Sequence, residues 1–249
     1  MSLFTAVEMA PRDPILGLNE QFNADTNPSK VNLGVGVYFD DNGKLPLLQC
    51  VQAAEKTMMD KPTARGYLPI DGIAAYDAAV KALVFGADSD VVKSGRVATV
   101  QAIGGTGGLK IGADFLKKIS PNATVLISDP SWENHRALFT NAGFPVDTYP
   151  YFDQSANGGL GGINFDGMLA KLNAAAEGTI VLLHACCHNP TGYDITAAQW
   201  DQVIAVVKAR NLTAFLDMAY QGFGHGIAED GAVIGKFVAA GLNIFVSTS

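Results

Sequence analysis

Four short stretches carry side chains suited to holding one compact ligand. The first is Gly104-Gly105-Thr106-Gly107-Gly108. Glycines between a strand and a helix free several backbone N–H groups, and the helix adds its positive end, which together favour a phosphate. Taken alone, the cluster is equally readable as a tight turn. A P-loop needs Ser or Thr after its lysine, but Ile111 follows Lys110. A dinucleotide fingerprint needs a third glycine where Lys110 stands, although Asp129 could take the role of the ribose-binding acid. An NAD(P)-dependent oxidoreductase therefore stays open at this point.

The second stretch runs from Ser128 to His135 and contains Trp132, which could stack on a planar ring or simply fill core. The third runs from His184 to Gly192. His184 and His188 invite a zinc site, but residues i and i+4 share a face only in a helix, and Asn189-Pro190 opposes a helix here. No metal is expected. Asn189 can instead donate its amide to a ligand oxygen. In the fourth stretch, Asp217 ends an apolar run, where a carboxylate is costly unless paired. A cationic ring nitrogen would pair it; so would a helix N-cap role or an arginine. A phosphate, a stacked ring, an oxygen acceptor and a ring nitrogen are all features of pyridoxal 5'-phosphate, whose protonated ring serves as an electron sink.

The elements that would position these residues alternate regularly. Strands are predicted at 97–103, 124–128, 146–149, 179–184, 213–216 and 243–246. Helices are predicted at 109–119, with Ile111, Phe115 and Ile119 on one face, and at 132–142, 165–176, 196–210 and 232–240. Thr196 and Gln199 form a capping-box pattern. Ligands collect at the C-terminal strand ends of such sheets, where all four stretches fall. The fold class is α/β, a mainly parallel sheet sandwiched by helices. Earlier, helices are predicted at 47–59 and 73–85, residues 1–14 read as an irregular arm, and 31–38 as a glycine-broken strand or loop. The expected division is an N-terminal arm with part of a small domain at 1–45 and a large cofactor-binding domain at 46–249.

The 249 residues are 48% hydrophobic and 16% charged, ample for a buried core. Net charge is -7, which argues against nucleic acid or an anionic membrane as partner, so an anionic ligand needs a local site. The three cysteines form no CxxC pair and read as reduced thiols in a cytoplasmic protein. No basic-then-apolar signal opens the chain, and no apolar run is long enough to cross a bilayer.

In order, NLGVGVY, GYLPIDG, GGTGGLK, DPSWENH, HACCHNPTG and LDMAYQGF resemble the aspartate and aromatic amino-acid aminotransferases, class I and fold-type I pyridoxal-phosphate enzymes. The wording of CCHNPTG, YQGFG and FGAD…GRVAT is more similar to the bacterial aromatic (tyrosine) enzymes. The resemblance implies an activity: amino groups of aromatic or dicarboxylic L-amino acids pass to a 2-oxo acid such as 2-oxoglutarate in a ping-pong cycle. It also implies roles. Gly105, Thr106 and Ser249 would bind the cofactor phosphate, and Trp132 would stack on its ring. Asn189 and Tyr220 would bond the ring oxygen, and Asp217 the ring nitrogen, with His135 behind it. Gly36, Trp132 and Asn189 would meet substrate. Tyr67 would reach the phosphate of the neighbouring subunit, implying a homodimer with shared active sites.

Two departures stand out. Gly104 occupies the usual serine of the phosphate loop. The Schiff-base lysine is expected about three residues after Ser249, beyond the sequence given. No lysine present, Lys110 and Lys236 included, matches a catalytic position, so the 249 residues by themselves are expected to be inactive.

Overall fold

The computed structural model describes residues 5, 7, 8, 14–32, 34, 37–40 and 42–249. These form two compact units, Met1–Gly66 and Tyr67–Ser249. Most of the predicted arm, and with it Gly36, lies outside the described residues.

The first unit contains two helices, α1 (Pro14–Ala24) and α2 (Gln49–Asp60). Its described part of 31–38 carries no strand. In the second unit, α3 (Ala74–Phe85) and the short α4 (Asp90–Lys93) precede α5 (Gly104–Ile119). Then follow β1 (Val125–Asp129), α6 (Glu133–Asn141) and β2 (Val146–Pro150). A small antiparallel pair, β3 (Phe152–Asp153) and β4 (Gly162–Ile163), encloses the turn α7 (Ala156–Gly159). The chain continues through α8 (Phe165–Ala174), β5 (Ile180–His184), α9 (Ala197–Ala209), β6 (Thr213–Met218), α10 (Ile227–Ala239) and β7 (Ile244–Thr248).

The main sheet has the order β2-β1-β5-β6-β7, and every pairing is parallel. Both of its faces are covered, which is why β5 is apolar at consecutive positions. Val181 and Leu183 enter one core with Trp200, Val203, Ile234 and Phe237. Ile180 and Leu182 enter the other with Leu109, Leu116, Phe139 and Phe215. At the start of α9, the Thr196 side chain accepts from Gln199 N–H and the Gln199 side chain accepts from Thr196 N–H, the reciprocal pattern its sequence announced.

Two expectations are corrected. Residues 97–103 form no strand: the run is β-branched, but among the described residues no neighbour supplies a ladder, and Gln101 N–H bonds the Asp71 carbonyl instead. On α5 the predicted stripe is the outer one, since Ile111, Phe115 and Ile119 are exposed. The core is met by Leu109, Ala113 and Leu116, smaller in sum but facing the sheet. Ile111 and Phe115 line an apolar cleft of about 580 Å³ between the extended segment and β7.

Candidate active site

Strand order reverses between β1 and β5, creating the crevice where open parallel sheets take ligands. The carboxyl ends of β1, β5, β6 and β7 deliver the functional side chains there.

Asp217 is the penultimate residue of β6 and is buried. Its Oδ2 lies 2.8 Å from His135 Nε2, and His135 Nδ1 lies 2.8 Å from Ser131 Oγ. This chain runs from the end of β6 to the start of α6, so His135 is held from both ring nitrogens. Oδ1 of Asp217 has no hydrogen bond among the described residues. Trp132, at the N-cap of α6, is half-buried and meets His135 edge-on at 5.2 Å between ring centres. Asn189, also half-buried, lies in the loop after β5 with no hydrogen bond to its side chain among the described residues.

Behind Asp217 is a packed group of rings that the sequence did not foretell. His184, paired in register with Asp217, meets His135 at 5.1 Å and His188 at 4.2 Å. Tyr151 stacks on His188 at 3.9 Å, and Ser128 Oγ and Thr191 Oγ1 occupy its two nitrogens at 2.9 Å each. Both nitrogens of His184 are buried without a partner among the described residues. Burial, reinforced by the neighbouring imidazoles His188 and His135, holds the His184 pKa well below the usual histidine value. Burial likewise lowers His188 to about 4, with His135 adding to the effect. His184 and His188 are therefore a neutral wall beside one acid. His135, His184 and Asp217 also place ligand-type atoms within 4.8 Å of one another.

The other half of the site is the start of α5. Ile103 at the N-cap offers no side-chain bond, and the helix opens on Gly104 at φ +62. First-turn N–H groups are thus left to the crevice. β7 runs alongside: Ser247 pairs in register with Asp217, and its Oγ donates to the Gly105 carbonyl at 3.3 Å. Ser249 N–H bonds the Met218 carbonyl, and its hydroxyl would stand 3.2 Å from a Cβ placed on Gly105. Ser249 and Asp217 thus belong to one strand pair that meets Gly105, and Thr106 follows in the first turn of α5. Tyr220 is half-buried in the loop after β6, and Tyr67 is fully exposed.

The family model for aminotransferases of class I and II matches residues 28–249. The chain belongs to this family. It is 61% identical over 249 residues to an aspartate aminotransferase of Pseudomonas aeruginosa, covering 100% of this chain and 62% of that one. Over 248 residues it is 48% identical to a tyrosine aminotransferase of Klebsiella pneumoniae, covering 99% of this chain and 62% of the relative. A crystal structure of an aromatic-amino-acid aminotransferase from Burkholderia pseudomallei, covalently bound to pyridoxal phosphate, superposes with a TM-score of 0.92 at 65% identity. That likeness covers 100% of this chain and 61% of the other. The chain thus spans about three-fifths of the length of the relatives it matches.

The family membership removes the oxidoreductase reading. Its physical weakness was already visible: Lys110 is an α5 surface residue ion-paired with Asp114, where a dinucleotide fold needs a glycine against the sheet. Close packing of α5 uses Gly108 and Gly112 instead, whose added Cβ atoms would lie 2.6 Å from Ser247 Oγ and 2.5 Å from the Phe215 ring.

Proposed function

We propose that this chain is the cofactor-binding portion of a pyridoxal-phosphate-dependent aminotransferase. It would move the amino group of aromatic or dicarboxylic L-amino acids to a 2-oxo acid such as 2-oxoglutarate. The observation that carries the reading is Asp217: a buried carboxylate fixed by His135 through one oxygen, with the other unpartnered among the described residues, at a strand end near an uncapped helix start.

The residues present fit the cofactor. The first turn of α5, at Gly105 and Thr106, and the hydroxyl of Ser249 would hold its phosphate. Trp132 would cover the ring face. Asn189 and Tyr220 would bond the ring oxygen. Asp217 would hold a proton on the ring nitrogen, and His135 would keep that carboxylate oriented. When bound, the cofactor supplies an electron sink for the bonds at the amino acid's Cα. Around it, the chain's own residues bind, orient and exclude water. His184 and His188 stay neutral, so they do not compete with the ring for the negative charge of Asp217.

The proton carrier at Cα would be the lysine that the family resemblance places about three residues after Ser249. Gly36, Trp132 and Asn189 would contact substrate. Tyr67, fully exposed, suits a reach into a second subunit's phosphate site in a homodimer. The division into 1–45 and 46–249, cytoplasmic location, a transamination site without metal and the absence of nucleic-acid and membrane partners complete this reading. Relatives named for aspartate and for tyrosine both support substrate breadth.

The test is transamination by the full-length protein, assayed with aspartate, tyrosine and phenylalanine against 2-oxoglutarate. Turnover with aspartate and at least one aromatic substrate is expected. No transfer from any of the three amino acids, in protein carrying stoichiometric pyridoxal phosphate, would reject the proposal.

A further inference from the structure

Outside the site described above, one other cluster gathers donor atoms of a definite chemical kind. Sγ of Cys186, Sγ of Cys187 and a carboxylate oxygen of Asp230 all lie within 4.8 Å of one another. Adjacent residues in extended backbone point their side chains to opposite sides. Here Cys187 adopts φ +48, a left-handed conformation rare for a residue with a Cβ, and the chain turns so that both sulfurs approach the same carboxylate.

The surroundings hold each donor in place. Asp230 Oδ2 accepts from Gly222 and Gly224 N–H at 2.8 and 2.9 Å, and Oδ1 accepts from His225 N–H at 2.8 Å. Asp194 fixes the other loop, taking Cys187 N–H at 2.7 Å and His188 N–H at 2.8 Å. Cys187 Sγ also lies 3.8 Å from the Tyr220 carbonyl. Cys186 and Asp230 are buried, whereas Cys187 is partly exposed and so provides the way in.

We propose that Cys186, Cys187 and Asp230 form a binding site for a soft, thiophilic divalent cation. Two sulfurs and one carboxylate oxygen are three ligands of a tetrahedral centre, the fourth position falling to water on the Cys187 side. Such a centre with metal–sulfur bonds near 2.3 Å sets its ligands about 3.8 Å apart, compatible with donors that all lie within 4.8 Å of one another. On binding, each thiol gives up its proton to solvent and each sulfur donates a lone pair. Two thiolates then neutralise the cation, and Asp230 completes the set. A hard cation such as magnesium is disfavoured by the two sulfurs.

The site joins the loop after β5, which carries Asn189, to the first turn of α10, whose Asp230 in turn holds the loop after β6 that carries Tyr220. Occupation would clip these loops together from behind, at atoms the proposed transamination does not use.

The full-length protein carrying Cys50→Ser, reduced and freed of thiol reagent, would be titrated with Cd2+ against a chromophoric chelator. Thiolate-to-metal absorbance and melting temperature are followed. The expectation is one tight equivalent per chain, absorbance of two thiolates and a raised melting temperature. Cys187→Ser should weaken binding by more than the ~10–100-fold that loss of an outer partner costs. Asp230→Asn should weaken it while leaving the absorbance band. Absence of a saturable equivalent, or a tight equivalent surviving in Cys187→Ser, overturns the proposal. Should the serine variant fail to fold, alkylation of Cys186 and Cys187 in the Cys50→Ser protein decides: protection of both by Cd2+ supports the site, and unchanged rates refute it.

Discussion

Asp217 and His184 sit opposite each other at the tips of β6 and β5, the first held by His135, the second with both ring nitrogens buried and unbonded among the described residues. This pairing places a single charge-bearing group against a neutral wall. Replacing Asp217 with alanine removes the partner of His135 and the group proposed for the ring nitrogen. Transamination should fall by about 10²-fold or more, the scale for losing one preorganised electrostatic group. Folding stability should drop by about 1.5–3 kcal/mol, since His135 stays buried without its acceptor. Single-turnover kinetics and urea denaturation measure the two separately. Near-normal turnover would remove Asp217 from the mechanism.

The histidine wall makes a pH prediction. His184 and His188 have folded pKa values below that of an unfolded histidine, so as pH falls the unfolded chain takes up their protons first. Their contribution to stability is complete above about pH 6.5 and is lost on acidification; for His188 the loss runs down to about 4. Each histidine adds up to about 1.4 kcal/mol per pH unit in that window. Urea midpoints between pH 7.5 and 4.5 should therefore fall, and His188→Gln should flatten the curve. An unchanged slope in that variant would show that His188 is not held neutral.

What could be read beforehand divides along physical lines. β1, β5 and β6 were legible because strands buried on both faces are continuous apolar runs, as Ile180–His184 is. β3 and β4 were not, since two-residue strands carry no period. Residues 97–103 were overread because β-branched composition reports local preference, not the presence of a partner strand. Asp217, Trp132 and Asn189, each ambiguous alone, could be nominated because their chemistry at neighbouring strand ends suits one ligand together. The stacking of Tyr151 on His188 and the meeting of Asp230 with Cys186 and Cys187 depend on loops returning to one another, and no sequence spacing encodes that.

The cysteines should separate sharply in reactivity without added metal. Burial raises the Cys186 thiol pKa, and Cys187, Asp230 and Asp194 add negative surroundings that oppose its ionisation. Cys50 is exposed on α2. Since the thiolate is the nucleophile, iodoacetamide at neutral pH should label Cys50 at least about tenfold faster than Cys186. Peptide mapping over time reads both rates at once, and equal rates would contradict the buried, acid-lined setting of Cys186.

A pair of glycines tests how α5 is seated against the sheet, and hence how the phosphate end of the site is positioned. Glycine in a helix costs about 0.5–1 kcal/mol relative to alanine, so a glycine-to-alanine change should stabilise wherever there is room. Gly235 on α10 has open space around its added Cβ, and Gly235→Ala should gain about that amount. A Cβ on Gly112 would stand 2.5 Å from Cζ of Phe215, whose ring is itself buried and cannot retreat. Overpacking of about 1–3 kcal/mol then outweighs the helix gain, and Gly112→Ala should destabilise. Because Gly112 and Gly105 share one helix, relief of the clash by lifting α5 from β6 would also disturb the contact between Gly105 and Ser249. Gly112→Ala should therefore weaken pyridoxal-phosphate binding as well as lower the urea midpoint, whereas Gly235→Ala should leave cofactor affinity unchanged. If both variants stabilise equally, α5 is not packed on Phe215 as closely as its glycines imply.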